Sequence, residues 1–381
     1  MKVLINALSA RLGGGITVLR NLMPALADVD GGAHEYTVLG RAETRESFRF
    51  DSSHVTVTTS PFAERSGATR LGWEQLVLPT QLALDQADVL FSPANLAVLA
   101  CPKPQVLMFQ NMAPFDDDVL ARTDGSRRLR LRALRTLGDV SARAADRVVF
   151  ISDFARREIS SQLRIPASKC SRAYLGRDPA FTPAAKGSAA PILEKLGVRG
   201  RYLLSVSQFY HYKNFTELVV GFARALPGLP SDVKLVIAGA EHERDYADAV
   251  RATIARERVG DRVVLAGQVP YAQLPGLYAS AELFLFPSTC ENFPNILVEG
   301  LASGVPTLSS GLGPMPEIAG EGAMYFDPFT PDEIAALILR HWHDSSASRA
   351  LAERGIAQAA RYSWQATARA LLTAFEEAAA R

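Results

Sequence analysis

Two glutamates with seven residues between them mark a strand-to-helix junction late in the 381-residue chain. Glu291 follows an apolar run that predicts a buried strand, and Glu299 lies in the helical pattern that comes next. The sequence predicts Asn292 or Phe293 as the helix cap and Pro294 in the first turn. Free backbone N–H groups at such a start bind anions. The junction is therefore predicted to hold a phosphate ester between two carboxylates, as a nucleotide sugar requires.

Short β-branched runs alternate with longer amphipathic segments along the whole chain. Strands separated by helices indicate parallel sheets with right-handed crossovers. Two such series predict an α/β protein with two Rossmann-like domains. The predicted strands are residues 2–7, 36–39, 55–59, 89–92, 106–109 and 148–152 in the first half and 202–207, 234–238, 263–267, 283–287, 306–309 and 324–326 in the second.

The boundary between the two predicted domains lies in a linker. Residues 176–191 are rich in proline, glycine and small side chains and show no strong period. We expect an N-terminal domain of residues 1–178, to which the C-terminal helix 363–381 is added, and a C-terminal domain of residues 179–362.

Composition excludes several classes of protein. The net charge is +1, so no global field favours nucleic acid as a partner. Three scattered cysteines, Cys101, Cys170 and Cys290, form no disulfide or metal pattern and favour a reducing, cytoplasmic compartment. The sequence contains no run of about 18 apolar residues, so no membrane span is predicted. His341 and His343 do not share a helix face, so no metal is assigned to them.

The sequence around the paired glutamates resembles the motif of retaining glycosyltransferases of family 4. The matching words are Glu-Asn-Phe-Pro-Asn at 291–295, Val-Glu-Gly-Leu-Ala-Ser-Gly-Val-Pro at 298–306 and Gly-Pro-Met-Pro-Glu-Ile-Ala-Gly at 313–320. The resemblance implies the GT-B fold, in which two Rossmann-like domains face a cleft and a final helix returns to the N-terminal domain. The alternative is a capped helix with two solvated acids.

The resemblance also implies roles for the residues of this junction. Glu299 would hold the ribose hydroxyls of the donor, and Glu291 would contact the donor sugar. The backbone of Phe293, Pro294 and Asn295 would meet the phosphates and the sugar. Glu291 is thus one of two residues to which a catalytic role is assigned.

The other predicted catalytic residue is Lys213, which the resemblance places on the leaving diphosphate. Ser207 and Gln208 precede it, and Gln208 stands where the family has a second cation, an arginine. Lys213 would therefore carry most of the side-chain charge, unless it is an ordinary solvated lysine. Gly267 and Val269 would line the nucleotide base.

A glycine loop follows the first predicted strand. Gly13, Gly14 and Gly15 would allow positive φ and a close backbone approach to the donor. Their spacing is not the Gly-x-Gly-x-x-Gly fingerprint of dinucleotide-binding proteins, which argues against NAD. By resemblance, Gly14 and Gly15 would face the donor; a plain tight turn is the alternative.

Gln110 and Asn111 are the predicted acceptor-binding residues. They stand where many family members have a histidine, and they can bond sugar hydroxyls but cannot act as bases. The acidic run Asp116, Asp117 and Asp118 follows. It either supplies a base or forms a solvated helix cap.

A basic amphipathic helix is predicted after the acidic run. Arg128, Arg132 and Arg135 would share one of its faces. Such a helix either lies on an anionic membrane surface or packs on its own domain.

These expectations together describe a retaining, metal-independent hexosyltransferase. It would move a sugar from a nucleotide diphosphate sugar to a hydroxyl of a glycan or lipid-linked acceptor, in the synthesis of cell-surface polysaccharide or lipopolysaccharide. No cofactor, no bound metal and no nucleic acid is expected. The protein would be cytoplasmic, with a peripheral place on the inner face of the membrane as an option. A sugar-nucleotide 2-epimerase of the same fold and a non-catalytic nucleotide-sugar-binding subunit are the alternatives.

Overall fold

A computed structural model shows the protein as two compact units. One unit comprises Met1–Gly176 and Ser363–Arg381, and the other comprises Arg177–Tyr362. The predicted boundary lies two residues further along the chain. The residues that the structure describes are 1–10, 14–42, 50, 52–60 and 66–380.

The first unit is built on a parallel sheet of seven strands within its described residues, in the order β3-β2-β1-β4-β5-β6-β7. The chain leaves β1 to one side and later returns beside it with β4, so the strand order reverses between these two strands. Ligands of open α/β sheets bind beyond the carboxyl ends of the strands at such a switch point. The strands are β1 Lys2–Asn6, β2 Glu35–Gly40, β3 Val55–Thr59, β4 Val89–Ser92, β5 Gln105–Phe109, β6 Arg147–Phe150 and β7 Cys170–Arg172.

Helices cover this sheet, and the C-terminal helix is one of them. The Phe375 ring of that helix packs 5.3 Å from the ring of Phe91, and Thr367 Oγ1 donates to the Tyr174 carbonyl at 2.6 Å. The last helix therefore belongs to the core of the first unit. The helices of this unit are α1 Gly14–Val29, α2 Gly67–Leu76, α3 Leu78–Leu84, α4 Asp117–Arg122, α5 Gly125–Ala144, α6 Asp153–Leu163 and α15 Trp364–Ala379.

The second unit repeats the design with a six-stranded parallel sheet in the order β10-β9-β8-β11-β12-β13. Its switch point lies between β8 and β11. The central strands are buried on both faces, which is why they read as continuous apolar runs in the sequence. The strands are β8 Tyr202–Val206, β9 Lys234–Ala238, β10 Val263–Gly267, β11 Leu283–Phe286, β12 Thr307–Ser310 and β13 Ala323–Phe326.

Two helices of the second unit pack closely against each other. A Cβ on Gly221 would come within 2.7 Å of the Ile334 side chain, so glycine lets the two helices that carry these residues approach. Phe215, Phe222 and Ile338 fill the same core. The helices are α7 Ala190–Lys195, α8 Phe215–Ala225, α9 Arg244–Arg256, α10 Leu274–Ala279, α11 Asn295–Ala302, α12 Met315–Ala319, α13 Pro331–His343 and α14 Ser345–Ala359.

The predicted α/β class with two parallel Rossmann-like sheets is confirmed, and the predicted strands match within two residues at either end. Strand β7 was not predicted. It is three residues long, polar and only partly buried, so it carries none of the apolar signal of the other strands. Within the described part of the chain, no helix is long and apolar enough to span a membrane.

Candidate functional site

Two loops meet beyond the carboxyl ends of β8 and β11. The Tyr212 carbonyl, in the first loop, accepts hydrogen bonds from the backbone N–H of Thr289 at 2.7 Å and from its hydroxyl at 3.2 Å. The Ser288 hydroxyl donates to the same oxygen at 3.3 Å. These bonds fix the loop that contains Lys213 against the loop that contains Glu291.

Lys213 and Glu291 form an ion pair at this junction. The ammonium donates to Glu291 Oε1 at 2.6 Å, and the two side chains are only 9% and 14% exposed. The same ammonium lies 4.9 Å from the centre of the Tyr212 ring. Burial, followed by the charge of Glu291, raises the pKa of the Tyr212 hydroxyl well above its ordinary value. A lysine has three N–H donors, so Lys213 can bind an anion while it keeps Glu291.

Ser207 and Gln208 begin the loop after β8. The Ser207 N–H donates to the Ala238 carbonyl at 2.9 Å, which ties this loop to the end of β9. A Cβ on Gly239 would lie 1.7 Å from the Ser207 oxygen, so only glycine fits there. Gln208 is half-buried and neutral, and the site thus has one lysine where the family pattern has a pair of cations.

The end of β10 completes the row of loops. Gly267 has φ +64°, a conformation that favours glycine, and its carbonyl accepts from the Gly239 N–H at 2.8 Å. Val269 follows and is buried. The structure therefore brings Gly267 and Val269 to the same edge of the sheet as Ser207 and Gln208.

Glu299 lies on the second turn of α11 in a cluster that the sequence does not reveal. Its carboxyl is buried, and the Tyr271 hydroxyl lies 3.1 Å from Glu299 Oε1 and 3.3 Å from Asp178 Oδ2. The pKa of Glu299 is raised to about 8, chiefly by burial; the Tyr271 hydrogen bond opposes the increase and the charge of Asp178 adds to it. The single hydrogen of the Tyr271 hydroxyl cannot be donated to Asp178 and Glu299 at the same time. If Glu299 is protonated, its own hydrogen can be donated to the Tyr271 oxygen, and the Tyr271 hydrogen remains for Asp178.

The start of α11 differs from the sequence prediction. Asn292 and Phe293 are not its cap: Pro294 is the N-cap residue, and the helix begins at Asn295. Pro294 has ψ 78°, which is not helical, and its carbonyl accepts from the Leu297 N–H at 2.9 Å. The Asn295 N–H donates to the Phe293 carbonyl at 2.9 Å. The first turn therefore presents fewer open N–H groups to a phosphate than the sequence predicts.

The remaining predicted site residues belong to the first unit. Gly14 and Gly15 lie in the first turn of α1 and do not form the loop that was predicted; Gly13 lies outside the described residues. A Cβ on Gly15 would make an ordinary contact of 3.7 Å with Ala10, so space does not demand glycine there. Gly14 and Gly15 therefore do not use the positive φ that glycine permits, because both residues are helical.

Gln110 and Asn111 lie in a pocket of about 340 Å³ beyond the carboxyl ends of β1, β4 and β5. Asn95, which follows the predicted strand 89–92, holds them in place. Its Oδ1 accepts from the Gln110 N–H at 2.7 Å and the Asn111 N–H at 3.0 Å, and its Nδ2 donates to the Asn111 carbonyl at 2.8 Å. Asn95 has φ +60°, which asparagine tolerates better than most residues. The signal in the sequence is an asparagine shortly after a predicted strand.

Residues of the acidic run and of the basic helix bind each other in part. Asp116 caps α4 by accepting from the Val119 N–H at 2.9 Å, and Asp117 pairs with Arg135 at 2.7 Å. The Arg128 guanidinium donates to three carbonyl oxygens at the end of α4. Two of the three arginines of the predicted membrane face therefore bind their own unit.

The described residues contain no group of three or more His, Cys, Asp or Glu side chains that could hold a metal ion. Lys213 places an ammonium at the switch point of the second sheet.

Two family models match the chain. Residues 12–181 match Glycosyltransferase Family 4, and residues 194–358 match Glycosyl transferases group 1. Among curated proteins, the chain is similar to the O-antigen chain mannosyltransferase B of Escherichia coli, with 29% identity over 227 residues, 58% of this chain and 58% of the relative. Across the curated relatives that it matches, the aligned region spans about half of their length.

Solved structures of similar fold cover nearly the whole chain. Sucrose-phosphate synthase from Thermosynechococcus elongatus has a TM-score of 0.75 at 16% identity, over 98% of both chains. Anabaena HepE in complex with UDP and glucose has a TM-score of 0.74 at 18% identity, also over 98% of both chains. At these identities the likeness shows the fold, which is GT-B.

Proposed function

Because this chain belongs to the glycosyltransferases of family 4 and group 1, we propose that it transfers a sugar from a nucleotide diphosphate sugar to a hydroxyl of a glycan or lipid-linked acceptor. The anomeric configuration of the sugar is retained, as the family resemblance implies. The names of the Escherichia coli relatives, an O-antigen chain mannosyltransferase and a serotype-specific mannosyltransferase, support a place in polysaccharide synthesis and a hexose as the sugar.

The observation that carries the proposal is the buried Lys213–Glu291 pair at the switch point of the second sheet, on the same side as Glu299. Lys213 is 9% exposed and donates one hydrogen bond to the Glu291 carboxylate. Its two other N–H donors remain for the leaving diphosphate. Glu291 holds that ammonium in position and offers its second oxygen to a sugar hydroxyl. Glu299 accepts hydrogen bonds from the ribose hydroxyls once its carboxyl is ionised.

The chemistry requires that negative charge on the departing diphosphate be stabilised as the bond to the sugar breaks. Preorganised donors in a site that excludes water do this most effectively. Lys213 is such a donor, since Glu291 and the Tyr212 ring already fix its ammonium. We propose that this charge and the backbone N–H groups suffice without a divalent metal.

The acceptor is bound by the first unit, where Gln110 and Asn111 line the pocket of about 340 Å³. Amide side chains both donate and accept, so they suit the hydroxyl groups of a sugar. Neither can remove a proton, and no base is assigned among them. Asn95 fixes the backbone of both residues and so shapes the acceptor site.

The cellular location and the membrane contact are also proposals. A cytoplasmic protein that touches the inner face of the membrane would suit a lipid-linked acceptor. Arg132 and Leu129 are exposed on α5, and Leu129 is 70% exposed. Arg128 and Arg135 contribute less to this face than the sequence predicts, because they bind α4.

A thermal-shift screen of nucleotides and nucleotide sugars tests the proposal. A ligand that binds only the folded protein raises its melting temperature by mass action, by an amount that grows with its concentration. We expect a nucleoside diphosphate and its sugar to stabilise the wild-type protein and to stabilise Lys213→Ala much less. Absence of stabilisation by any nucleotide would contradict the proposal. Product formation from the donor alone, without an acceptor, would instead indicate an epimerase.

A further inference from the structure

A charged group lies in the first unit that no part of the proposed function uses. Arg70, on α2, lines the pocket that also contains Gln110 and Asn111. It lines a second, smaller cavity of about 10 Å³ as well, and the two cavities also share Ser9, Ala94 and Leu96. Both lie beyond the carboxyl ends of β1 and β4, which is the switch point of the first sheet.

The hydrogen-bond donors of Arg70 find no acceptor among the residues that the structure describes. Its side chain is 18% exposed, and the nearest acid, Glu74, has Oε2 3.8 Å from Arg70 Nε, too far for a hydrogen bond. Among the residues that the structure describes, the guanidinium donates no hydrogen bond, and its buried Nε has no partner. Arginine stays protonated and offers five N–H donors. A mostly buried guanidinium in this state is destabilising unless a ligand or water fills those donors.

Glu74 holds the guanidinium without satisfying it. The carboxyl is 5% exposed and accepts from Asn6 Nδ2 at 3.2 Å. Burial raises its pKa, more than the charge of Arg70 and the Asn6 bond lower it. Glu74 therefore lies close enough to attract the guanidinium but does not accept a hydrogen bond from its Nε.

The small cavity beside this pair has the size of one water molecule. Ser92 Oγ, in a side chain that is 1% exposed, lines it and has no hydrogen-bond partner among the described residues. With Arg70 Nε, this hydroxyl gives the small cavity two buried polar groups without a hydrogen-bond partner among the described residues, and Arg70 also lines the larger pocket. Buried polar groups in this state require a water molecule or a ligand group as a partner.

The charged side chains that line the larger pocket favour an anionic ligand. Arg130, on α5, contributes a second cation, and no aspartate or glutamate is among the described residues that line this pocket. The planar fork of an arginine matches a carboxylate or a phosphate through two parallel hydrogen bonds.

We propose that Arg70 binds an oxyanion of the acceptor, so that the preferred acceptor sugar carries a carboxylate or a phosphate. The inference rests on the proposed function in one respect, namely that the first unit binds the acceptor. It adds the chemical class of the acceptor and the residue that selects it.

The test compares three sugars that differ in one group: methyl glucoside, methyl glucuronoside and glucose 6-phosphate. Their binding to the full chain is measured by saturation-transfer NMR titration, with a nucleoside diphosphate present so that the second unit is filled. The variants are Arg70→Gln, Arg70→Lys and the double variant Arg70→Gln/Glu74→Gln, which leaves no unpaired buried acid. Arg369→Gln, an exposed arginine of α15, is the matched control.

Wild-type protein and the control should bind at least one anionic sugar about tenfold or more tightly than the neutral one, as one charge-assisted pair provides. Arg70→Gln and the double variant should lose that preference, and Arg70→Lys should keep part of it. Binding of the glucuronoside alone or of the phosphate alone would identify which oxyanion is selected.

Equal affinity for all three sugars, a preference that survives in Arg70→Gln, or no sugar binding at all would overturn the inference. The melting temperature with nucleotide is recorded for each variant. If the wild-type protein does not bind nucleotide, that result would count against the proposed function instead. Failure of the proposed function and failure of the inference about Arg70 are therefore distinguishable.

Discussion

The protonation of Glu299 gives the sharpest prediction for the donor site. Burial raises the pKa of this carboxyl to about 8, so the unliganded protein keeps it protonated at neutral pH. Ribose hydroxyls donate hydrogen bonds to an ionised carboxylate, and such bonds lower the pKa. Nucleotide binding is therefore expected to release the proton of Glu299.

The size of the effect follows from the shift. At pH 7, a carboxyl whose pKa is about 8 is roughly 90% protonated, so binding should release roughly 0.9 proton. Well below that pKa, each further decrease of one pH unit makes the free energy of nucleotide binding about 1.4 kcal/mol less favourable, which lowers the affinity tenfold. Between pH 8 and pH 6, Kd should weaken roughly 50-fold.

The stability of the unliganded protein should change in the opposite direction. The pKa of Glu299 is raised above its ordinary value of 4.5, so the folded state binds this proton more tightly than the unfolded state does. The resulting stabilisation is complete below pH 4.5 and is lost as the pH rises through about 8. Nucleotide affinity thus rises over the same range in which this contribution to stability falls.

Titration calorimetry in two buffers of different ionisation enthalpy measures the proton release directly. Glu299→Gln is the matched control, because glutamine keeps an oxygen that accepts hydrogen bonds but does not titrate. Protons that come from the nucleotide's own phosphates are released equally with both proteins, so the difference between them reports Glu299. If wild-type protein and Glu299→Gln release the same number of protons at pH 7, then Glu299 does not bind the ribose in the way described.

The other predictions concern the leaving group, the metal, the acceptor loop and the membrane. Lys213→Ala should lower kcat about 100-fold, as the loss of one preorganised donor does, and Gln208→Arg should recover part of it; normal turnover by Lys213→Ala would refute the assignment. Transfer should survive EDTA, and loss of activity with rescue by Mn²⁺ would show that a metal is needed. Asn95→Ala should raise the KM for the acceptor several-fold while the KM for the donor stays unchanged, whereas equal changes in both would indicate general damage. The protein should co-sediment with anionic vesicles at low salt and be released at high salt, less so in Arg132→Gln; indifference to such vesicles would mean that α5 is only a packed helix.

The two-sheet fold could be predicted because the signal is local and repeated. Buried parallel strands are short apolar runs, and each is followed by an amphipathic helix, so the series appears in the sequence without knowledge of any contact. Strand β7 has no such run and lies at the edge of the sheet, where it pairs with β6. The strand was missed for that reason.

The sequence offers the residues of the candidate donor site as a prediction, but it does not indicate their contacts. Lys213 and Glu291 are 78 positions apart, and nothing in either segment indicates that they bind each other. Their contact depends on the switch point of the sheet and on the Tyr212 carbonyl that joins the two loops. The cluster of Glu299 with Tyr271 and Asp178 likewise requires three separate segments.

Local backbone geometry was the least predictable level. The sequence suggested Pro294 inside the first turn of α11, but its ψ of 78° places it before the helix. Gly14 and Gly15 suggested a loop, yet they begin α1. Proline and glycine permit several conformations at a junction, and the packing of the neighbouring elements selects among them.

The central claim is acceptor-dependent transfer of a sugar from a nucleotide diphosphate donor with retained configuration. Proton NMR of a reaction with the donor identified by thermal shift and an acceptor sugar tests it directly, because the anomeric coupling constant reports the configuration of the new bond. We predict that nucleoside diphosphate and a glycoside of unchanged anomeric configuration appear together, only when acceptor is present, and that Lys213→Ala forms neither at a comparable rate. Inverted product, or consumption of the donor at the same rate without acceptor, would contradict the account.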